Sequence, residues 1–244
     1  MSACARWSWR ITRWRAVAER GLIAALAMAA LSAAPLPAAA HPHEFIDARL
    51  TLHFNEDGAL EAFGVEWRYD AFTSMLILGD LGLDPAAETL DEADAAILSG
   101  FDMNWQPGYE GDLWPEQDGE PLPLLPPVDG HAWLEGGQIV SRHTRPLRAP
   151  ADPQDGPLVI RVYDPEYYIA YTIADYARIE GRADCRTRLF GADLEAARAQ
   201  LEAAIDELYA SGVQDIEADF PAVGADFADE LRLACSPVSV GGDG

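Results

Sequence analysis

The chain has 244 residues, 49% of them hydrophobic, and sets 41 acidic against 17 basic side chains for a formal charge of −24. Such a field repels nucleic acid and anionic membrane surfaces. No lysine occurs anywhere, which excludes a Schiff-base lysine, a pyridoxal phosphate linkage and a phosphate-loop lysine.

Residues 1–40 have the three parts of a secretory signal peptide. Arg6, Arg10, Arg13, Arg15 and Arg20 form a basic lead. Leu22 to Ala34 is an apolar, alanine-rich run, and Ala38, Ala39 and Ala40 supply the small residues of a cleavage site before His41. The apolar run is short of the ~20 residues needed to span a bilayer. No Leu-x-x-Cys lipobox stands at the cut, so a lipid anchor is not expected. The mature chain is expected in the periplasm, not embedded in a membrane, and more acidic still. Roughly 200 residues remain, enough for one large domain or two small ones.

Ile46 to Phe54 alternates, with Ile46, Ala48, Leu50, Leu52 and Phe54 on one side, the pattern of a half-buried strand. Asn55-Glu56-Asp57-Gly58 signals a turn, and Leu60 to Tyr69 reads as the return strand. Ala71 to Leu81 fits a short helix, as does Asp91 to Leu98. The acidic residues of Asp80 to Glu92 miss the ligand positions of a calcium loop, and no calcium is expected there. Pro107 to Pro127 reads as a long irregular connection with one short strand around Asp112-Leu113-Trp114. Further strands are expected at Ala132 to Leu134, Gln138 to Pro146, Leu158 to Tyr163, Tyr167 to Ile173 and Cys185 to Phe190. Leu194, Leu201, Ile205 and Leu208 share a helical face, with Asp193 as N-cap and Gly212 after the last turn. Glu230 to Cys235 alternates as a strand.

Cys4 leaves with the leader, so Cys185 and Cys235 remain. An even pair in an oxidising compartment reads as one disulfide, which would close a loop of about fifty residues and add ~3–4 kcal/mol on the chain-entropy account. A thiolate metal site is the alternative, without the support of a C-x-x-C spacing. The expected fold is α+β: a β-rich antiparallel sheet or sandwich with a C-terminal disulfide-closed strand–helix–strand unit. Residues 41–175 would carry the hairpin and most strands, residues 176–236 the second subregion, and residues 237–244 a disordered tail.

All five histidines fall between His41 and His143. Two open the mature chain in His41-Pro42-His43-Glu44. An N-terminal histidine can chelate a metal through its α-amine, with a pKa near ~8, and its imidazole, near ~6.5. A second imidazole would give a copper-favouring brace, and the same donors suit nickel, zinc and cobalt. Pro42 has no amide hydrogen, so binding through deprotonated backbone amides is blocked. A turn centred between Glu56 and Asp57 would set His43 opposite Asp70, a candidate carboxylate ligand or an acceptor for the imidazole N–H. His143 could arrive from across the sheet. His53 lies ten residues from His43, ~33 Å along a straight strand, and is expected at the hairpin tip. His131 has no clear role.

Catalytic motifs are absent: there is no G-x-S-x-G, no H-E-x-x-H and no glycine-rich phosphate loop. Carboxylates are too numerous for a glycosidase pair to stand out. Tyr163-Asp164-Pro165-Glu166-Tyr167-Tyr168 reads as an Asp-Pro turn between strands.

HPHEFIDARLTLHF, VEWRYDAFTSMLIL and GPLVIRVYDPEYYIAY together resemble the domain of unknown function family 1007. Its members are exported bacterial proteins described as a periplasmic component of an uncharacterised ABC-type transport system. Similar proteins are often encoded beside nickel/cobalt transporters, and some are fused to them. The resemblance implies export and a link to a membrane metal transporter or ABC-type permease. The expected function is a periplasmic accessory protein that binds a divalent transition metal through His41 and His43, with Asp70 and His143 as candidate partners. The alternatives are a solute-binding or protein-interaction module without metal, and a brace-type copper redox enzyme.

Overall fold

A computed structural model describes residues 42–103, 105–106, 109–174, 176–213 and 219–236. Residues 1–40, expected as a signal peptide, His41 and residues 237–244, expected as a disordered tail, lie outside the described residues. No described helix is long and apolar enough to cross a membrane.

The alternating segments pair as a hairpin. Strand β1, Glu44–Phe54, buries Ile46, Ala48, Leu50, Leu52 and Phe54 to 6% exposure or less. Strand β2, Leu60–Tyr69, returns antiparallel to it. Asn55 closes the turn twice. Its carbonyl accepts the Gly58 N–H at 2.9 Å, its side chain accepts the Ala59 N–H at 3.0 Å, and Gly58 takes φ +79°. The connection is therefore the loop 55–59, preceded by an irregularity at His53/Phe54. That loop corrects the expected register. Ile46 faces Tyr69, and the Asp70 N–H reaches the Phe45 carbonyl. Asp70 thus stands beside Phe45, not opposite His43.

Helix α1, Ala71–Asp80, follows at once, and α2, Glu92–Ser99, has Asp91 as N-cap. Strands β3, Leu113–Gln117, and β4, Glu120–Pro121, precede the hairpin of β5, Val128–Glu135, and β6, Gln138–Ala151. Strands β7, Leu158–Val162, β8, Ile169–Ile173, and β9, Arg178–Glu180, come next. Strand β10, Cys185–Phe190, helix α3, Leu194–Ser211, a 3-10 turn at Gly224–Phe227 and β11, Glu230–Cys235, complete the order.

The strands form two mostly antiparallel sheets. One runs β5-β6-β2-β1-β8, with β9 also along β1; the two β1 contacts with β8 and β9 are parallel. The other runs β10-β11-β7-β3-β4. Inner residues of both sheets share one apolar core, from Leu50, Leu52 and Phe63 to Leu158, Ile160 and Leu231. Cys185 lies opposite Cys235 in the β10–β11 ladder, and the two form a disulfide. Helix α3 starts at the expected Asp193 cap and ends at Gly212 with φ +80°, the left-handed turn that glycine takes without strain.

Candidate functional site

Two groups of polar residues stand out, at opposite ends of the predictability scale. The first is the start of β1. The His43 N–H donates to the Tyr168 carbonyl at 2.8 Å, and the two rings lie 4.5 Å apart. Tyr168 is held by the Asp-Pro turn before β8. Asp164 accepts the N–H groups of Tyr168 at 2.7 Å and Ile169 at 3.1 Å. Burial raises the pKa of Glu44 above the ordinary value, and the negative charges of Asp70 and Asp164 add to this while His43 opposes it. Glu44, the first residue of β1, thus feels His43 together with the carboxylates of Asp70 and Asp164.

Asp70 has a second task. Its Oδ1 accepts the Phe72 N–H at 2.7 Å and the Thr73 N–H at 3.0 Å. Its Oδ2 accepts the Phe45 N–H at 3.1 Å and the Thr73 hydroxyl at 2.7 Å. Burial works against its charge, but the bonds from Thr73, Phe45 and Phe72 outweigh that and keep its carboxyl below the usual range. Four hydrogen bonds use the four lone-pair sites of a carboxylate. Asp70 is thus an N-cap and a clip onto the start of β1, with its oxygens taken.

The other histidines are dispersed. His53 Nδ1 pairs with Glu180 Oε2 on β9 at 3.2 Å. His131 Nδ1 lies 2.9 Å from the Ser99 hydroxyl. His143 faces Val65, and Val65 faces Leu50, seven residues along β1 from His43. At ~3.3 Å per residue that is about 23 Å, so the sheet does not bring His143 to His43. Among the described residues, no group of three or more His, Cys, Asp or Glu side chains is arranged to hold a metal ion.

The second group surrounds His143 and is not visible as a sequence motif. The inner face of the first sheet is apolar except where β2 and β6 place Trp67, Ser141, His143 and Arg145 in its middle. The segment after α2 covers them with Asp102, Trp105, Tyr109 and Asp112. Ser141 donates to Asp102 Oδ2 at 2.8 Å. His143 is 2% exposed, and the rings of Trp67 and Trp105 meet it edge-on at 5.1 and 5.2 Å. Its Nδ1 lies 3.5 Å from Asp102 Oδ2, too far for a hydrogen bond. Neither ring nitrogen of His143, nor Trp67 Nε1, has a hydrogen-bond partner among the described residues.

Asp112 sits deeper. Its Oδ2 accepts the hydroxyls of Tyr171 at 2.8 Å and Tyr109 at 3.0 Å. Burial pushes its pKa up to about 6, against the two tyrosine hydrogen bonds. Burial, then the charge of Asp112, drives the Tyr109 hydroxyl upward, and burial does the same to Tyr171 and Tyr69. Arg145 donates to the carbonyls of Leu125 and Glu110 and covers the Trp105 ring at 4.7 Å. Asp102 and Asp112 both hold left-handed backbone, with φ +68° and +52°. Gly111, at φ +77°, packs so closely that a Cβ would lie 2.3 Å from both Arg145 and Trp105. Buried, hydrogen-bonded and conformationally strained polar groups in one place are a mark of functional sites.

Residues 26–235 match the family described as protein of unknown function (DUF1007). The chain belongs to the DUF1007 family. It is also similar to an uncharacterized protein of Haemophilus influenzae, 24% identical over 203 residues, a stretch covering 80% of this chain and 91% of that relative. Both groups of polar residues fall inside the region that the family spans.

Proposed function

We propose that this DUF1007 protein is an exported accessory protein of a transport system, and that its mature N-terminus binds nickel, cobalt, zinc or copper. Its site would consist of the α-amine and imidazole of His41 and the imidazole of His43. The observation that carries the reading is the position of His43. It stands just before β1, tied by its backbone to Tyr168, beside Glu44, whose carboxyl feels His43 together with Asp70 and Asp164. Carboxylates gathered around Glu44 would be relieved by a divalent cation.

The described residues alone do not assemble a metal site, so the proposal requires His41 and the free amine that leader cleavage would create. Pro42 closes the backbone-amide route and leaves the side chains and the amine as donors. Glu44 would complete the set or balance its charge. Asp70 would act through its field and by holding Phe45, and His143 would take no part. The location is the periplasm, and the partner is a membrane metal transporter or an ABC-type permease. The β10, α3 and β11 elements would form a disulfide-closed strand–helix–strand unit against the β-rich part.

The test is elemental analysis of protein purified from the periplasm, with its N-terminus determined by mass spectrometry. The reading expects a chain beginning at His41 that carries close to one equivalent of a transition metal. A chain beginning at His41 that neither carries metal nor takes it up when supplied would overturn it.

A further inference from the structure

A cleft of about 570 Å³ lies beside the segment after α2, and His43 is not among the residues that line it. Phe101, Trp105 and Tyr109 line it, Leu81 and Ile97 form aliphatic walls, and Asp102 is its one carboxylate among the described residues. No arginine or histidine is among the residues that line it. The Trp105 and Tyr109 rings meet edge to face with centroids 5.0 Å apart.

Among the described residues the carboxylate of Asp102 pairs with no arginine, and His143, whose Nδ1 lies 3.5 Å from its Oδ2, would be a cation only if protonated. Asp102 Oδ2 accepts the neutral Ser141 hydroxyl, and its Oδ1 lies 3.3 Å from the Trp105 indole N–H. The guanidinium nearby, on Arg145, is committed to the Leu125 and Glu110 carbonyls. Behind the carboxylate stands His143, at 2% exposure, with neither ring nitrogen hydrogen-bonded among the described residues. A carboxylate without an arginine partner among the described residues thus lines an aromatic cleft, with the buried His143 ring behind it.

We propose that this cleft binds a small organic cation, an alkylated ammonium, with its charge on Asp102 and its methyl groups among Phe101, Trp105 and Tyr109. Aromatic faces carry negative charge and attract such cations most strongly where water is excluded. The other ligand classes fit less well. An anion meets Asp102. A neutral apolar molecule desolvates Asp102 without pairing it. A hydrated metal ion finds apolar walls in place of the oxygen ligands that it needs.

The experiment is calorimetric titration of the mature protein with tetramethylammonium chloride at constant ionic strength. Neutral tert-butanol serves as the control of similar shape, and the Trp105 indole N–H is followed by NMR. The expected result is saturable binding at about 1 mM or tighter, a shift of the Trp105 resonance, and at least tenfold weaker binding of tert-butanol. Asp102→Asn should lose the preference for the cation. Because Asp102 also holds Ser141, Ile97→Arg is the companion variant. Ile97 is 49% exposed, so the new cation enters the cleft without disturbing the core. It should weaken tetramethylammonium at least tenfold while thermal unfolding stays unchanged. Absence of saturation, equal binding of tert-butanol, or full affinity in a folded Ile97→Arg protein would each overturn the proposal.

Discussion

The carboxylate of Asp70 accepts the backbone N–H of Phe45 at 3.1 Å while capping the first turn of α1. One side chain therefore joins the start of β1 to the helix that follows β2. Asp70→Ala removes the cap and leaves the Phe45, Phe72 and Thr73 N–H groups to find water. The expected loss is about 1–3 kcal/mol of stability, read by chemical denaturation. Metal affinity should change only a few-fold, because the Asp70 oxygens are already occupied. A change as large as that from losing His43 would make Asp70 a ligand after all.

Asp112 makes stability depend on pH. Its pKa is about 6 in the fold, above the ordinary aspartate value near ~3.9 of an unfolded chain. The folded state therefore holds this proton more tightly. The contribution is fully present below about pH 4 and is lost as the pH rises through about 6, on the order of 3 kcal/mol in all. Asp112→Asn keeps an oxygen to accept the Tyr109 and Tyr171 hydroxyls and cannot ionise. Denaturation midpoints measured from pH 4 to 7 should fall less steeply in this variant than in the parent. Parallel curves would mean that Asp112 titrates normally.

His143 is expected to be replaceable as far as stability is concerned. Its two ring nitrogens are buried without hydrogen-bond partners among the described residues, and such groups weaken a fold that holds them. His143→Leu should leave the melting temperature unchanged or raise it. A loss above about 2 kcal/mol would show that the imidazole has a structural partner.

The disulfide ties β10 to β11 across a sequence separation of 50. Replacing Cys185 and Cys235 together by alanine should lower stability by about 3–4 kcal/mol while the far-ultraviolet circular dichroism remains that of the parent. Unchanged stability would mean that packing of Leu231 and Leu233 alone holds this edge.

Much of the strand and helix order could be read from the chain because the local signals agree. The alternation from Ile46 to Phe54, the Asn55–Gly58 turn, and the Asp193 and Gly212 caps each specify one geometry. Register was harder. The side chain of Asn55 reaches Ala59 and widens the turn, which moves Asp70 from His43 to Phe45. Strands β4 and β9 were also hidden, since two or three residues show no periodicity. The His143 cluster could not be assembled from sequence, because its members come from β2, β6, β8 and the irregular segment before β3. Two local hints existed: polar Ser141, His143 and Arg145 occupy the inward positions of β6, and Gly111 precedes Asp112 in a segment where the chain turns sharply. The cysteine pair was legible because, with Cys4 expected to leave with the leader, each of Cys185 and Cys235 had one partner.

The most direct measurement is the nickel dissociation constant of apo protein with a native His41 terminus, compared with the same protein carrying one glycine before His41. The account predicts near-stoichiometric binding by the native form and roughly hundredfold weaker binding by the extended one, since the α-amine then no longer chelates with its own imidazole. Equal affinity in the two forms would contradict it.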